Sequence, residues 1–171
     1  IPRDYGAQMS IASISDEFDK YDLYPYSAPK LEELSDGRRV LLWVDDDASK
    51  ADADRTSLYY SMFDPIENTW SNPAIAVSNA GYNEVPQVYS SGDKLHIVWS
   101  AAEKTFGNDA DINEMSAAMG LYYTSFDGSS FGDVEPVSNV DNGVCEMLYD
   151  ISEKNGTVTI AWAENTENDI S

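Results

Sequence analysis

The stretch Leu58-Tyr-Tyr-Ser-Met-Phe-Asp-Pro-Ile-Glu-Asn-Thr-Trp70 decides the fold, because it returns later in the chain. Residues 121–131 read Leu-Tyr-Tyr-Thr-Ser-Phe-Asp-Gly-Ser-Ser-Phe. Leu58, Tyr59, Tyr60, Phe63 and Asp64 therefore recur 63 positions on as Leu121, Tyr122, Tyr123, Phe126 and Asp127. A strand, a tight turn opened by an aspartate and then an aromatic make a hairpin unit. Its recurrence at a fixed spacing marks a repeat architecture.

Working outward, each copy is preceded by a hairpin that closes on a tryptophan. Residues 30–34 form a short strand, Ser35-Asp36-Gly37 gives a turn with glycine at positive φ, and 38–44 return. That return strand is apolar on both faces from Val40 onward, which suits burial between two layers. Residues 86–99 repeat the pattern, and 145–162 repeat it again with a turn at Asn155-Gly156. Trp43, Trp99 and Trp162 stand 56 and 63 residues apart. An acidic loop follows each: 45–54, 103–114 and 164–169. A fourth strand is expected around 72–77 and again around 133–137.

Val77-Ser78-Asn79, Val137-Ser138-Asn139 and Ile14-Ser15-Asp16 read as the ends of three equivalent strands. A full unit is then four short antiparallel strands in about 60 residues, the signature of a β-propeller blade. The expected fold class is all-β: a single partial propeller of four-stranded antiparallel blades, incomplete at both ends. Residues 1–15 carry the last strand of a preceding blade, 28–78 and 85–138 are blades, and 144–171 hold the first half of another.

The turn formed by Phe63, Asp64, Thr69 and Trp70, and more loosely by Phe126, Asp127 and Phe131, resembles the Asp-box of the sialidase-like (BNR-repeat) β-propellers. The Leu-Tyr-Tyr-Ser/Thr strand fits that family too. The resemblance implies that Asp64 and Asp127 are structural, their carboxylates accepting backbone N–H bonds, with Trp70 and Phe131 at least partly covered. It leaves activity open, since the repeat occurs in hydrolases, lectins and cell-surface proteins alike. Sialidases of the family bind a substrate carboxylate with three arginines and use a Tyr–Glu pair with an Asp acid/base. Here the arginines are Arg3, Arg38, Arg39 and Arg55, and the family's Arg-Ile-Pro motif is incomplete at Ile1-Pro2. No catalytic residue is assigned within the segment.

The 31 acidic residues against 10 basic ones, net −21, exclude nucleic acid and anionic membrane surfaces as partners. The charge reads as a solvated surface, as cation binding or as salt adaptation. Residues 1–171 carry no signal peptide, membrane-spanning run or lipidation motif, so any signal lies upstream of Ile1. Cys145 is alone, so no intramolecular disulfide forms, and it reads as a small buried hydrophobe. His96, the one histidine, takes the strand position of Val40 and Thr159 and reads as sheet-face packing.

Two candidate sites remain. Asp52 and Asp54, Asp109 and Asp111 with Asn113 and Glu114, and Glu167 with Asp169 place oxygen ligands at alternating positions in the three loops. Such ligands suit a hard cation, with calcium the expected cofactor, although no loop has the full EF-hand pattern. The alternative is a solvated loop. Tyr21, Tyr24 and Tyr26 in the 17–26 loop offer faces for sugar stacking, or else fold over a blade edge.

The expected function is a non-catalytic carbohydrate- or protein-binding segment of a secreted or surface-displayed bacterial propeller. The alternatives are part of a glycoside hydrolase whose catalytic residues lie elsewhere, and a structural spacer of a large surface protein. The expected partners are a glycan or protein ligand, and flanking sequence or other chains that supply the missing strands.

Overall fold

The computed structural model describes residues 27–107, 109–138 and 144–164. The expected strand within 1–15, Tyr21, Tyr24, Tyr26, Glu167 and Asp169 lie outside them, as do the side chains of 144–147, Cys145 included.

The described residues are almost entirely antiparallel β-sheet. In the first sheet β1 (Lys30–Glu33), β2 (Arg39–Asp46) and β3 (Thr56–Asp64) pair in sequence order. β4 (Thr69–Trp70) and β5 (Ala74–Val77) then lie one after the other along the far edge of β3. The second sheet runs β6 (Asn83–Ser91), β7 (Lys94–Ala102), β8 (Met119–Phe126) and β9 (Glu135–Pro136). The hairpin of β10 (Val144–Lys154) and β11 (Thr157–Glu164) forms the third. These are propeller blades of four antiparallel strands, incomplete, as the repeat required.

Two details differ from the sequence reading. The fourth strand of the first sheet begins earlier, because Trp70 pairs with Phe63 and Thr69 with Asp64. It breaks at Asn72-Pro73, where proline has no N–H to give a ladder. The second acidic loop contains a helix, α1 (Ile112–Ala117), and Asp111 caps it by accepting the Asn113 N–H at 2.7 Å.

Side-chain alternation explains how the sheets stack. In β7, Leu95, Ile97, Trp99 and Ala101 pack with Val40, Leu42, Val44 and Leu58 of the first sheet. Val98 and Ala102, on the opposite face of the same strand, pack with Tyr149 and Ile151 of the third. β7 is thus buried on both faces from Leu95 to Ala102.

Because successive strands reverse direction, the connections gather at two ends. The β1–β2, β6–β7 and β10–β11 turns share one end with the turns opened by Asp64 and Asp127. Left-handed residues make three of these turns tight: Gly37 (φ 85°), Gly92 (φ 64°) and the pair Asn155 and Gly156 (φ 55° and 81°). The long acidic connections after β2 and β7 lie at the opposite end, with the link from β5 to β6.

Candidate functional site

At the turn end the two repeated aspartates hold backbone. Asp64 accepts the Ile66 and Glu67 N–H groups at 2.8 and 3.1 Å. Asp127 accepts those of Ser129 and Ser130 at 2.9 and 2.8 Å, and the Ser129 hydroxyl at 2.9 Å. These bonds, led by the Ser130 N–H, lower the Asp127 pKa to about 2. The aromatic after each turn folds back onto its hairpin: Trp70 lies 5.4 Å from Phe63 and Phe131 lies 4.8 Å from Phe126, centroid to centroid. Both Trp70 and Phe131 are half-buried. A carboxylate committed to its own turn is a structural element.

The loop end is built differently. Asn83 is fully buried and sits at the centre of bonds that join the first two sheets. Its amide nitrogen donates to the Thr56 carbonyl at 2.8 Å and the Gly81 carbonyl at 3.0 Å, and its oxygen accepts the Trp99 indole N–H at 3.0 Å. The Lys50 ammonium reaches the same carbonyls, donating to Thr56 at 2.8 Å and Gly81 at 2.9 Å, and to the Asn79 side chain at 3.4 Å. Burial lowers the Lys50 pKa, against the nearby carboxylates of Asp47 and Asp54, which raise it.

Of the four candidate ligand aspartates among the described residues, three are held by separate protein partners. Asp52 pairs with Arg55 at 3.2 Å. Asp54 is buried, and both its oxygens accept the Phe106 N–H at 3.1 Å across the two loops. Asp111 caps α1, and Asp109 lies beside Gly107. Among the described residues no three His, Cys, Asp or Glu side chains converge on a point.

Between the β5–β6 link and the loop-end portions of β7 and β8 a cleft of about 170 Å³ opens, lined by Ser78, Asn79, Trp99, Glu103, Tyr122 and Val134 among others. Gly81 borders it and is needed there, because a Cβ would collide with the Ala102 carbonyl. The Tyr122 ring is half-buried and packs 6.0 Å from Trp99. Burial first, and then the neighbouring Glu103 carboxylate, raises the Tyr122 pKa. The Glu103 carboxylate is solvent-facing at the rim. The described cations near this end are occupied: Arg55 by Asp46 and Asp52, Lys104 by Glu114, and Lys50 by its carbonyls. The cleft therefore offers acceptors and an aromatic edge, and suits a ligand rich in hydrogen-bond donors.

Sequence reasoning reached this end through its acidic loops but missed the cleft. Tyr122 was visible in the recurring strand and Glu103 as the first acid after β7. Nothing in the sequence joins them to residues 78–81. His96 is where its strand position put it, buried on the sheet face with Nδ1 2.8 Å from the Tyr123 hydroxyl.

No family model matches the chain, and no curated protein matches it. Among solved structures it is similar to Trypanosoma rangeli sialidase, with 17% identity and a TM-score of 0.44, over 83% of this chain and 20% of that one. The same sialidase with 2,3-difluorosialic acid, a covalent intermediate, gives 15% identity and a TM-score of 0.44 over 84% and 20%. With the inhibitor DANA the values are 16% and 0.43, over 83% and 20%. The chain spans about a fifth of those sialidases' length.

Proposed function

We propose that this chain is a carbohydrate-binding segment of a β-propeller protein, and that the loop-end cleft seats one neutral sugar unit. The observation that carries the reading is the composition of the cleft: a half-buried tyrosine edge, an adjacent carboxylate and, among the described residues, no uncommitted cation. Hydroxyl groups of a neutral sugar donate to Glu103, and the apolar side of its ring lies against Tyr122 and Val134. At about 170 Å³ the cleft is smaller than pockets for drug-sized ligands, which begin near about 300 Å³, so it suits a single ring. Uronates and other anionic sugars meet a like charge there. Tyr21, Tyr24 and Tyr26 are a second surface for the same class of ligand.

A glycan array with the intact chain, followed by titration calorimetry, tests this. Neutral glycans should bind, and E103Q and Y122A should each weaken binding about tenfold or more, since the first removes the charge from the acceptor of the sugar hydroxyls and the second removes the ring against which the sugar lies. Array silence on neutral glycans overturns the reading. Binding that survives E103Q and Y122A but is lost on replacing Tyr21, Tyr24 and Tyr26 by alanine moves the site to the 17–26 loop.

A further inference from the structure

β6 is not a regular strand. Glu84 stands opposite Ser100 and Gln87 opposite Val98, so Val85 and Pro86 together face the one residue Trp99. That is a β-bulge, and Pro86, with no N–H to give a ladder, is tolerated at one. Val85 takes φ 46°, a costly conformation for a β-branched residue. Both of its backbone groups are held by side chains from outside the β6–β7 pair. Its N–H donates to the buried Ser27 hydroxyl at 3.0 Å, and its carbonyl accepts the Tyr149 hydroxyl of β10 at 2.5 Å. The Tyr149 oxygen in turn accepts the Ser100 N–H at 3.1 Å. A side chain of the third sheet thus completes the ladder of the second.

The bulge decides which way Asn83 points. With it, Asn83 pairs with Ala101, on the face of β7 that carries Trp99 and meets the first sheet. Continuing the Gln87–Val98 register without the extra residue would pair Asn83 with Ala102, on the face that meets the third sheet. A slip of one residue turns a side chain to the opposite face. Asn83 would then lose Thr56 and the Trp99 indole. It would also lose Asn79, with which it exchanges two amide bonds at 2.9 and 2.8 Å. Asn79, Gly81 and Trp99 form one wall of the cleft, so that wall depends on the bulge.

We propose that the Tyr149 hydroxyl is the register lock of β6: it holds the bulge that keeps Asn83 on the first-sheet face, and so makes the loop-end cleft depend on the docking of the third sheet. Tyr149 lies outside the lining of the cleft and acts through Asn83, as a positioning residue. Without the hydroxyl, the Ser100 N–H and the Val85 carbonyl are buried with no partner from β10, and nothing offsets the strain at Val85. The proposal is independent of the ligand the cleft takes.

Y149F keeps the ring and removes only the hydroxyl, and hydrogen exchange read by NMR in the intact 171-residue chain tests it. Exchange of the Ser100 amide, the Asn83 amide and the Trp99 indole N–H should speed up at least about tenfold, while the Leu95 and Ile97 amides toward the turn end keep their rates. I151A is the control, because it loosens the contact of the same two sheets without touching the bulge. Glycine accepts φ 46° without strain, so adding V85G to Y149F should slow the Asn83 amide and the Trp99 indole again and leave the Ser100 amide fast. Unchanged exchange at all three groups in Y149F overturns the proposal. So does acceleration spread evenly along β7 in both Y149F and I151A, which means lost packing alone. If Y149F does not fold, the Y149F/V85G chain should, and failure of both to fold overturns the proposal too.

Discussion

The two ends of the stacked sheets solve the same problem in opposite ways. At the turn end, Asp64 and Asp127 satisfy backbone N–H groups two and three residues away, in water, and each hairpin is complete in itself. Where this end joins sheets it does so at the surface, through Arg38 to the Gly128 carbonyl at 2.6 Å and the Ser35 N–H to the Gly92 carbonyl at 3.1 Å. At the loop end the satisfying groups are buried and distant in sequence: Asn83 with Thr56, Phe106 with Asp54, Lys50 with Gly81. The turn end is a set of separable motifs, whereas the loop end is one network. A local motif can be lost with little consequence for its neighbours. Loss of one member of a buried network strands the others without partners.

The largest test of that difference is N83A. It leaves the Trp99 indole N–H buried without an acceptor and removes two bonds to the carbonyls of Thr56 and Gly81. Denaturant titration should show a loss of about 3 kcal/mol or more, given about 1–3 kcal/mol for each buried group left unsatisfied. A loss no larger than that of a turn-end variant breaks the comparison.

D127N should have a smaller effect, and one that depends on pH. The carboxylate's pKa is lowered to about 2 in the folded chain from an ordinary value of 3.8. Its stabilisation is therefore complete above about pH 4 and is lost as pH falls toward 2. Wild-type and D127N melting temperatures should differ at pH 6 and converge near pH 2, a window set by that shift. An Asp127 carboxyl that titrates by NMR at its ordinary value contradicts the turn geometry.

The smallest effect is expected at His96, near the turn end of β7. Burial lowers its pKa below 6.5, opposed by Glu153 across the interface and aided by Lys94. The neutral ring, against the Tyr123 hydroxyl, is the form that fits the interface. Its contribution is complete above about pH 6.5 and is lost as pH falls below that value, so acid should weaken the contact between the second and third sheets. In H96Q the fall in stability between pH 7.5 and 5.5 should be shallower than in wild type. Equal slopes would show that the ring's protonation does not matter there.

The turn end was legible in the sequence because its chemistry is local. An aspartate followed two and three residues later by the N–H groups it binds is visible in any window of five residues, and so is an Asn-Gly or Asp-Gly turn. The loop end was legible only as composition. Its aspartates look alike in the chain, yet Asp54 is buried against Phe106, Asp52 is paired at the surface and Asp111 caps a helix. The partners of Asp52 and Asp111 lie within three residues, but nothing local marks Asp54, whose partner is 52 residues away.

By itself, then, the sequence determined the hairpins of the described sheets, their tight turns and, in the first two sheets, the pairing of the tryptophan strand with a Leu-Tyr-Tyr strand. Those follow from side-chain alternation and from turns whose geometry a few adjacent residues enforce. Only the tertiary structure decided which acids are buried, that Lys50 fills the carbonyl cradle, and that Glu103 and Tyr122 meet residues 78–81 around a cleft. The physical reason is that burial and hydrogen-bond partnership across two packed sheets depend on residues far apart in the chain, as with Asn83 and Thr56, 27 apart, and Phe106 and Asp54, 52 apart. Such pairings exist only once the faces of β7 have closed against both of their neighbours.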